Sequence, residues 1–135
     1  MRKLLSTKYS PGAFNAAILL LRLCFGILLM KHGYGKLTQF SETATGMPPL
    51  FGMSGTVTAA LVVFAEFFCA LFVILGLFTR LASIPVIICM GYAAFIAHKG
   101  EVFGDGEIAT LYMTAYIVFL LVGPGKVSVD SMTGK

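Results

Sequence analysis

Charge is what this sequence has least of. Charged residues make up 12% of its 135 positions, against 58% hydrophobic. A water-soluble domain carries about 25% charged and 45–50% apolar residues. Water is therefore excluded as the solvent for most of the folded surface. Cysteine is sparse too. Cys24, Cys69 and Cys89 form no CxxC pair and each sits inside an apolar run. A disulfide framework and a zinc site both need paired spacing, so neither is expected, and each cysteine reads as a small buried hydrophobe. No nucleophile elbow, P-loop, dinucleotide fingerprint, HExxH or CxxCH occurs. Nothing intrinsic to the chain demands an enzyme, a metal or a resident cofactor. The net charge of +4 comes from ten Lys and Arg scattered singly. Nucleic-acid binding needs a basic cluster on one face and is excluded. No internal repeat or low-complexity tract divides the chain, which reads as a single domain over 1–135.

What the chain does have is four long apolar stretches. Their continuity predicts helices at about 13–31, 57–78, 81–98 and 107–123. A helix needs about 20 residues to cross a hydrocarbon core about 30 Å thick, and barrel strands would alternate. The expected fold is thus all-α, a four-transmembrane-helix bundle that crosses a bilayer four times. Arg22 interrupts the first apolar stretch, and Lys31-His32-Gly33-Tyr34 offers no small-x-small cleavage site, so this stretch is expected to be a retained helix rather than a leader. The connection over 38–56 holds Met47-Pro48-Pro49 and cannot be one regular helix. Its Phe40, Leu50, Phe51 and Met53 place it on the membrane or back against the bundle. Gly123-Pro124-Gly125 ends the last helix. Arg2, Lys3, Lys8, Arg80, Lys126 and Lys135 fall on one side, and Lys31, Lys36 and Lys99 on the other. The excess of basic residues puts both termini in the cytoplasm.

Charges inside the apolar stretches are the most informative residues, because an Arg or Glu there costs a few kcal/mol even on the mildest scale. Arg22 and Glu66 each lie about nine residues into their stretches, roughly 14 Å from the start. Antiparallel helices would bring both near mid-membrane, where a pair neutralises itself. An Arg22–Glu66 ion pair is therefore expected. It serves either to fix helix register or as the polar floor of a ligand pocket or proton path.

A second polar group gathers at the outer face. His32 lies ten residues beyond Arg22, about 15 Å further out. Lys36 follows it, His98 closes the third helix and Glu107 opens the fourth. Two histidines with carboxylates suit metal binding or proton transfer, but they lack ligand spacing. His and Lys near a membrane surface also serve as snorkelling anchors, and Glu107 suits a helix N-terminus. The expectation is a polar, proton-linked pocket without a metal. Gly26, Ala70, Gly76, Gly91, Ala93, Ala94 and Ala97 allow close helix packing. Tyr92, Tyr112 and Tyr116 read mainly as packing aromatics whose hydroxyls could also meet a quinone-like ring.

The ordered set resembles the DoxX family of small bacterial membrane proteins. The matching pieces are Leu20-Leu21-Arg22-Leu23 with Gly26, His32-Gly33, Lys36-Leu37, Ala65-Glu66 and Leu75-Gly76-Leu77-Phe78-Thr79-Arg80-Leu81-Ala82. They continue with His98, Gly106-Glu107 and Gly123-Pro124-Gly125 followed by Ser128 and Asp130. The resemblance implies a multi-pass protein of the bacterial inner (plasma) membrane, with Arg22, His32, Lys36, Glu66, Arg80, His98 and Glu107 as the polar motif. It further implies association with a membrane redox system linked to quinone or to thiol or thiosulfate chemistry. A flavin, haem or thiol partner would then supply the electrons, and a quinone is the cofactor expected at the outer pocket. The alternative is a non-enzymatic scaffold or small-solute carrier. Four short helices bury little surface between them, so redox partner proteins or a homo-oligomer are the partners expected besides the lipid bilayer.

Overall fold

The computed structural model describes residues 2, 4–46, 52–97, 103–104 and 106–134. His98, Glu101 and Asp105 lie outside the described residues, as do Pro48, Pro49, Leu50 and Phe51. Among the described residues the chain is helical throughout, with no strand. Helix α1 covers Pro11–Thr38, and a short α2, Phe40–Gly46, packs against the next stretch. That stretch is one rod, Gly55–Leu75: α3 (Gly55–Val63), a π-helical turn (Phe64–Cys69) and α4 (Ala70–Leu75). Helix α5, Thr79–Tyr92, continues into a second π-helical turn, Ala93–Ala97. Helix α6 covers Glu107–Val122, and a final turn, α7, covers Val129–Met132.

The helix ends follow ordinary capping chemistry. Ser10 precedes Pro11 and accepts a hydrogen bond from Ala13 N at 3.1 Å. Ser54 does the same for Val57 N at 3.2 Å. Gly76 ends α4 at φ 71°, the left-handed conformation of a helix C-terminus. Phe78 is left-handed as well, at φ 50°. That is unusual for a side chain with a Cβ and needs support from its surroundings.

Helix α1 buries one narrow stripe, Ile18, Arg22, Gly26, Leu29 and Gly33, at helical spacing. Only 22% of its most apolar window is buried; Leu20, Ile27 and Leu28 face outward. A helix apolar all round with so little of it covered is solvated by hydrocarbon. Helix α1 and the rod Gly55–Leu75 are long and apolar enough to cross a membrane, while α5 and α6 are shorter apolar helices.

The core joins Leu29 of α1, Ala65 to Val73 of the rod, Val86 and Met90 of α5, and Tyr112, Tyr116 and Phe119 of α6. Helices α5 and α6 share the most extensive contact. Small residues set the closest approaches. Gly26 lies against the Ala70 carbonyl, and Gly33 lies against the backbone of Glu66 and Phe67. The first helix reaches beyond its expected end, to Thr38. That extension decides which charges meet.

Candidate functional site

The two buried charges of the apolar stretches do not meet each other. Arg22 is 1% exposed, and its guanidinium donates only to backbone carbonyls. Nε donates to Val73 O at 3.0 Å and Nη2 to Ile74 O at 2.8 Å. Nη1 donates to Pro124 O at 2.9 Å and to Val127 O at 2.6 Å. Val73 and Ile74 present carbonyls of the last turn of α4, and Val73 O accepts from Gly76 N as well. Pro124 and Val127 belong to the loop that follows α6. Arg22 thus ties three segments together at the end of the molecule where α1 begins.

Glu66 pairs instead with Lys36, through Oε2 and Nζ. The expected Arg22–Glu66 pair is corrected here, and the register of the helices supplies the reason. Glu66 lies opposite Gly33 on α1, whereas Arg22 lies opposite Val73 and Ile74. The eleven residues between positions 22 and 33 separate those levels by about 16 Å. Depth counted from the edges of the apolar runs missed this, because α1 stays helical through Lys31–Thr38. Gly33 and Lys36 are one turn apart on that extension. The glycine lets the backbones touch, and the lysine reaches the carboxylate beside the contact.

Glu66 sits in the π-helical turn. Such turns open the regular hydrogen-bond ladder and often mark functional sites. Its side chain is 5% exposed, whereas that of Lys36 is 35% exposed. The lysine opens onto a cavity of about 380 Å³ lined by Leu28, Lys31, His32, Gly35, Gln39 and Thr43 as well. All but Gln39, which caps α1, and Thr43 fall on one stripe of that helix. The His32 ring packs edge-on against Tyr112, with centroids 6.1 Å apart at 85°. Tyr112 in turn packs edge-on against Phe25 at 5.8 Å. Tyr116 donates to Phe25 O at 3.2 Å. The arrangement offers cationic and imidazole donors at the mouth of a cavity and one buried carboxylate behind them. Glu107 is exposed in the first turn of α6 and forms no ion pair among the described residues.

The opposite end holds a second constellation, centred on Asp130. Its Oδ1 accepts from Phe78 N at 2.9 Å and its Oδ2 from Thr79 N at 3.1 Å. Asp130 N donates to Gly76 O at 2.9 Å. The carboxylate thus caps α5 from a distant part of the chain and holds Phe78 in its left-handed conformation. Ser128 caps α7 and packs against Gly76. Arg80 lies beside Gly123, where an added Cβ would come within 3.2 Å of its Nε. Spacing could not reveal these contacts, although Ser128 and Asp130 stand in the ordered motif. Removal of the cap in Asp130→Ala is expected to destabilise the fold by about 1–2 kcal/mol. A thermal melt in detergent should show a midpoint lower by several degrees, with Asp130→Asn intermediate.

Long apolar helices facing outward, with polar side chains turned inward, define a helical integral membrane protein. The chain belongs to the DoxX family, whose model matches residues 17–99. It is 30% identical over 118 residues to an uncharacterised protein of Haemophilus influenzae, covering 82% of this chain and 86% of that one. It is 25% identical over 127 residues to the inner membrane protein YqjF of Escherichia coli, covering 90% and 95%. No solved structure matches the chain.

Proposed function

We propose that this DoxX protein is a four-span inner-membrane subunit serving a quinone-linked redox system, with both termini in the cytoplasm. Its carrying observation is the Lys36–Glu66 pair, half open to the polar cavity that His32 also lines. A buried carboxylate with a lysine is expensive in hydrocarbon, and register alone could be fixed by packing. Placed beside a cavity, the pair has a chemical use. The Lys36 ammonium can donate to a carbonyl oxygen of a bound headgroup while Glu66 holds the lysine in position. His32 presents an imidazole that can donate or accept a hydrogen bond. Thus the cavity can orient a quinone ring and exchange protons with it. The electrons come from a flavin, haem or thiol partner, because the chain has no evident carrier of its own. His98 and Glu107 belong to the same end by their places in the sequence.

The test is a bound-molecule assay. The protein, purified in mild detergent, is expected to yield a quinone near one per chain in the organic extract by mass spectrometry. Lys36→Met should reduce that yield at least tenfold, and His32→Ala by a smaller factor. Lipid alone in the wild-type extract would overturn the proposal and favour the scaffold or small-solute carrier reading.

A further inference from the structure

A furrow runs along the outside of the molecule between the rod Gly55–Leu75 and α5. Three hollows make it up. Two apolar ones, each about 320 Å³, share Phe64 and Pro85. A third, of about 270 Å³, shares Phe78 and Leu81 with the first and ends on Arg80. The furrow is hydrocarbon-lined along most of its length, by Phe72, Ile84 and Ile88 among others, and polar only at the Arg80 end.

We propose that this furrow holds one anionic phospholipid, with its phosphate on Arg80 and an acyl chain lying past Pro85. Charge complementarity points to this occupant. Arg80 is exposed and makes no ion pair or hydrogen bond among the described residues. Asp130 shares the hollow, its oxygens accepting from Phe78 N and Thr79 N at the start of α5, and its negative charge is within electrostatic reach of the buried Arg22 guanidinium, so this end carries two arginines against one carboxylate. The positive charge is therefore the one left to be met.

Length agrees with charge. The furrow extends from Arg80 to Cys89, nine residues of α5, or about 13–14 Å. That is close to one leaflet of a core about 30 Å thick. A second copy of the chain is a poorer occupant. A two-fold axis along the membrane normal brings equal levels together, so Arg80 would face Arg80. Pro85 also helps form the furrow, because its ring removes the N–H that would bond to the Leu81 carbonyl and leaves that side of α5 irregular.

The experiment is native mass spectrometry of the full chain released from detergent. Phosphatidylglycerol and phosphatidylcholine of identical acyl chains are added in equal amounts. Wild type is expected to retain phosphatidylglycerol at least fivefold over phosphatidylcholine. Arg80→Gln should abolish that preference, and Arg80→Lys should keep part of it. Ile84→Trp, which fills the furrow from an exposed position, should lower retention of both lipids at least threefold with its thermal midpoint unchanged. Equal retention of the two lipids by wild type, or an unaltered preference in Arg80→Gln, would overturn the assignment. So would a dimer mass that Ile84→Trp abolishes without changing lipid retention.

Discussion

Arg22→Met is expected to leave little folded protein in the membrane. Methionine roughly preserves the volume but removes all four donors that reach Val73, Ile74, Pro124 and Val127. Each acceptor is a main-chain carbonyl at a helix end or in a loop; Val73 O also accepts from Gly76 N at 3.1 Å, while the other three lean on Arg22. A hydrogen bond to a charged group contributes about 1.5–3 kcal/mol. Relief from burying the guanidinium offsets part of the loss, because a buried charge is itself costly. The net effect is set at about 3–5 kcal/mol, a large share of the stability of a small domain. Arg22→Lys should lie between, since one ammonium cannot reach four carbonyls in the same fork geometry. Thiol labelling gives a direct readout. Cys69 is buried and Cys89 is half-buried, whereas Cys24 is exposed. A thiol-reactive dye should therefore act in two phases, slowly on folded wild type, where Cys24 faces hydrocarbon, and on all three thiols on unfolding. The midpoint of that second phase is expected to fall by 10 °C or more in Arg22→Met, by the usual scale of a few degrees per kcal/mol. An unchanged midpoint would mean that the loop after α6 is not held by this side chain.

The apolar stretches announced the helices because hydrocarbon tolerates few polar interruptions, so composition alone marks them. Gly123-Pro124-Gly125 announced an end because backbone conformation is set by the residue itself, whereas Gly76, read as a packing glycine inside a helix to 78, in fact ends α4 at φ 71°. The pairing of charges was a different matter. Sequence placed Arg22 and Glu66 in apolar surroundings, and both are buried. It could not say what each meets, because that depends on the offset between two helices. The offset is set by contacts such as Gly33 on Glu66, and a glycine advertises only that something comes close. Arg22 was harder still, since its partners are carbonyls that every residue carries. The role of Asp130 was hidden by distance, its targets lying some fifty positions away. The π-helical turn around Glu66 left no trace in the apolar pattern, because one extra residue in a run hydrophobic all round changes no visible stripe.

Gly33→Ala is expected to remove both stability and the proposed ligand site, although it adds a single methyl group. A Cβ on Gly33 would lie 2.6 Å from Glu66 C, 2.6 Å from Phe67 N and 2.8 Å from Glu66 O. These are main-chain atoms of the rod that packs on α1, and no side-chain rotation clears them. The helices must separate locally, at a cost of about 1–3 kcal/mol or more for overpacking. Lys36 is carried away from Glu66 by the same movement. A buried carboxylate that loses its partner adds a further penalty of about 3–5 kcal/mol unless it takes up a proton. Gly35→Ala provides the contrast. It lies two residues away on the same helix with nothing near its missing Cβ. There alanine should be neutral or stabilising by about 0.5–1 kcal/mol, the ordinary gain over glycine within a helix. The two variants differ only in where one methyl group sits, so composition, hydropathy and helix propensity cannot separate them. Thermal midpoints by thiol labelling should drop sharply for Gly33→Ala and hold or rise for Gly35→Ala. If both hold, the first helix does not touch the π-helical turn, and the Lys36–Glu66 pair loses the contact that positions it. If only Gly33→Ala falls, and bound quinone falls with it, the packing of a glycine and the chemistry of the cavity are one feature of the fold.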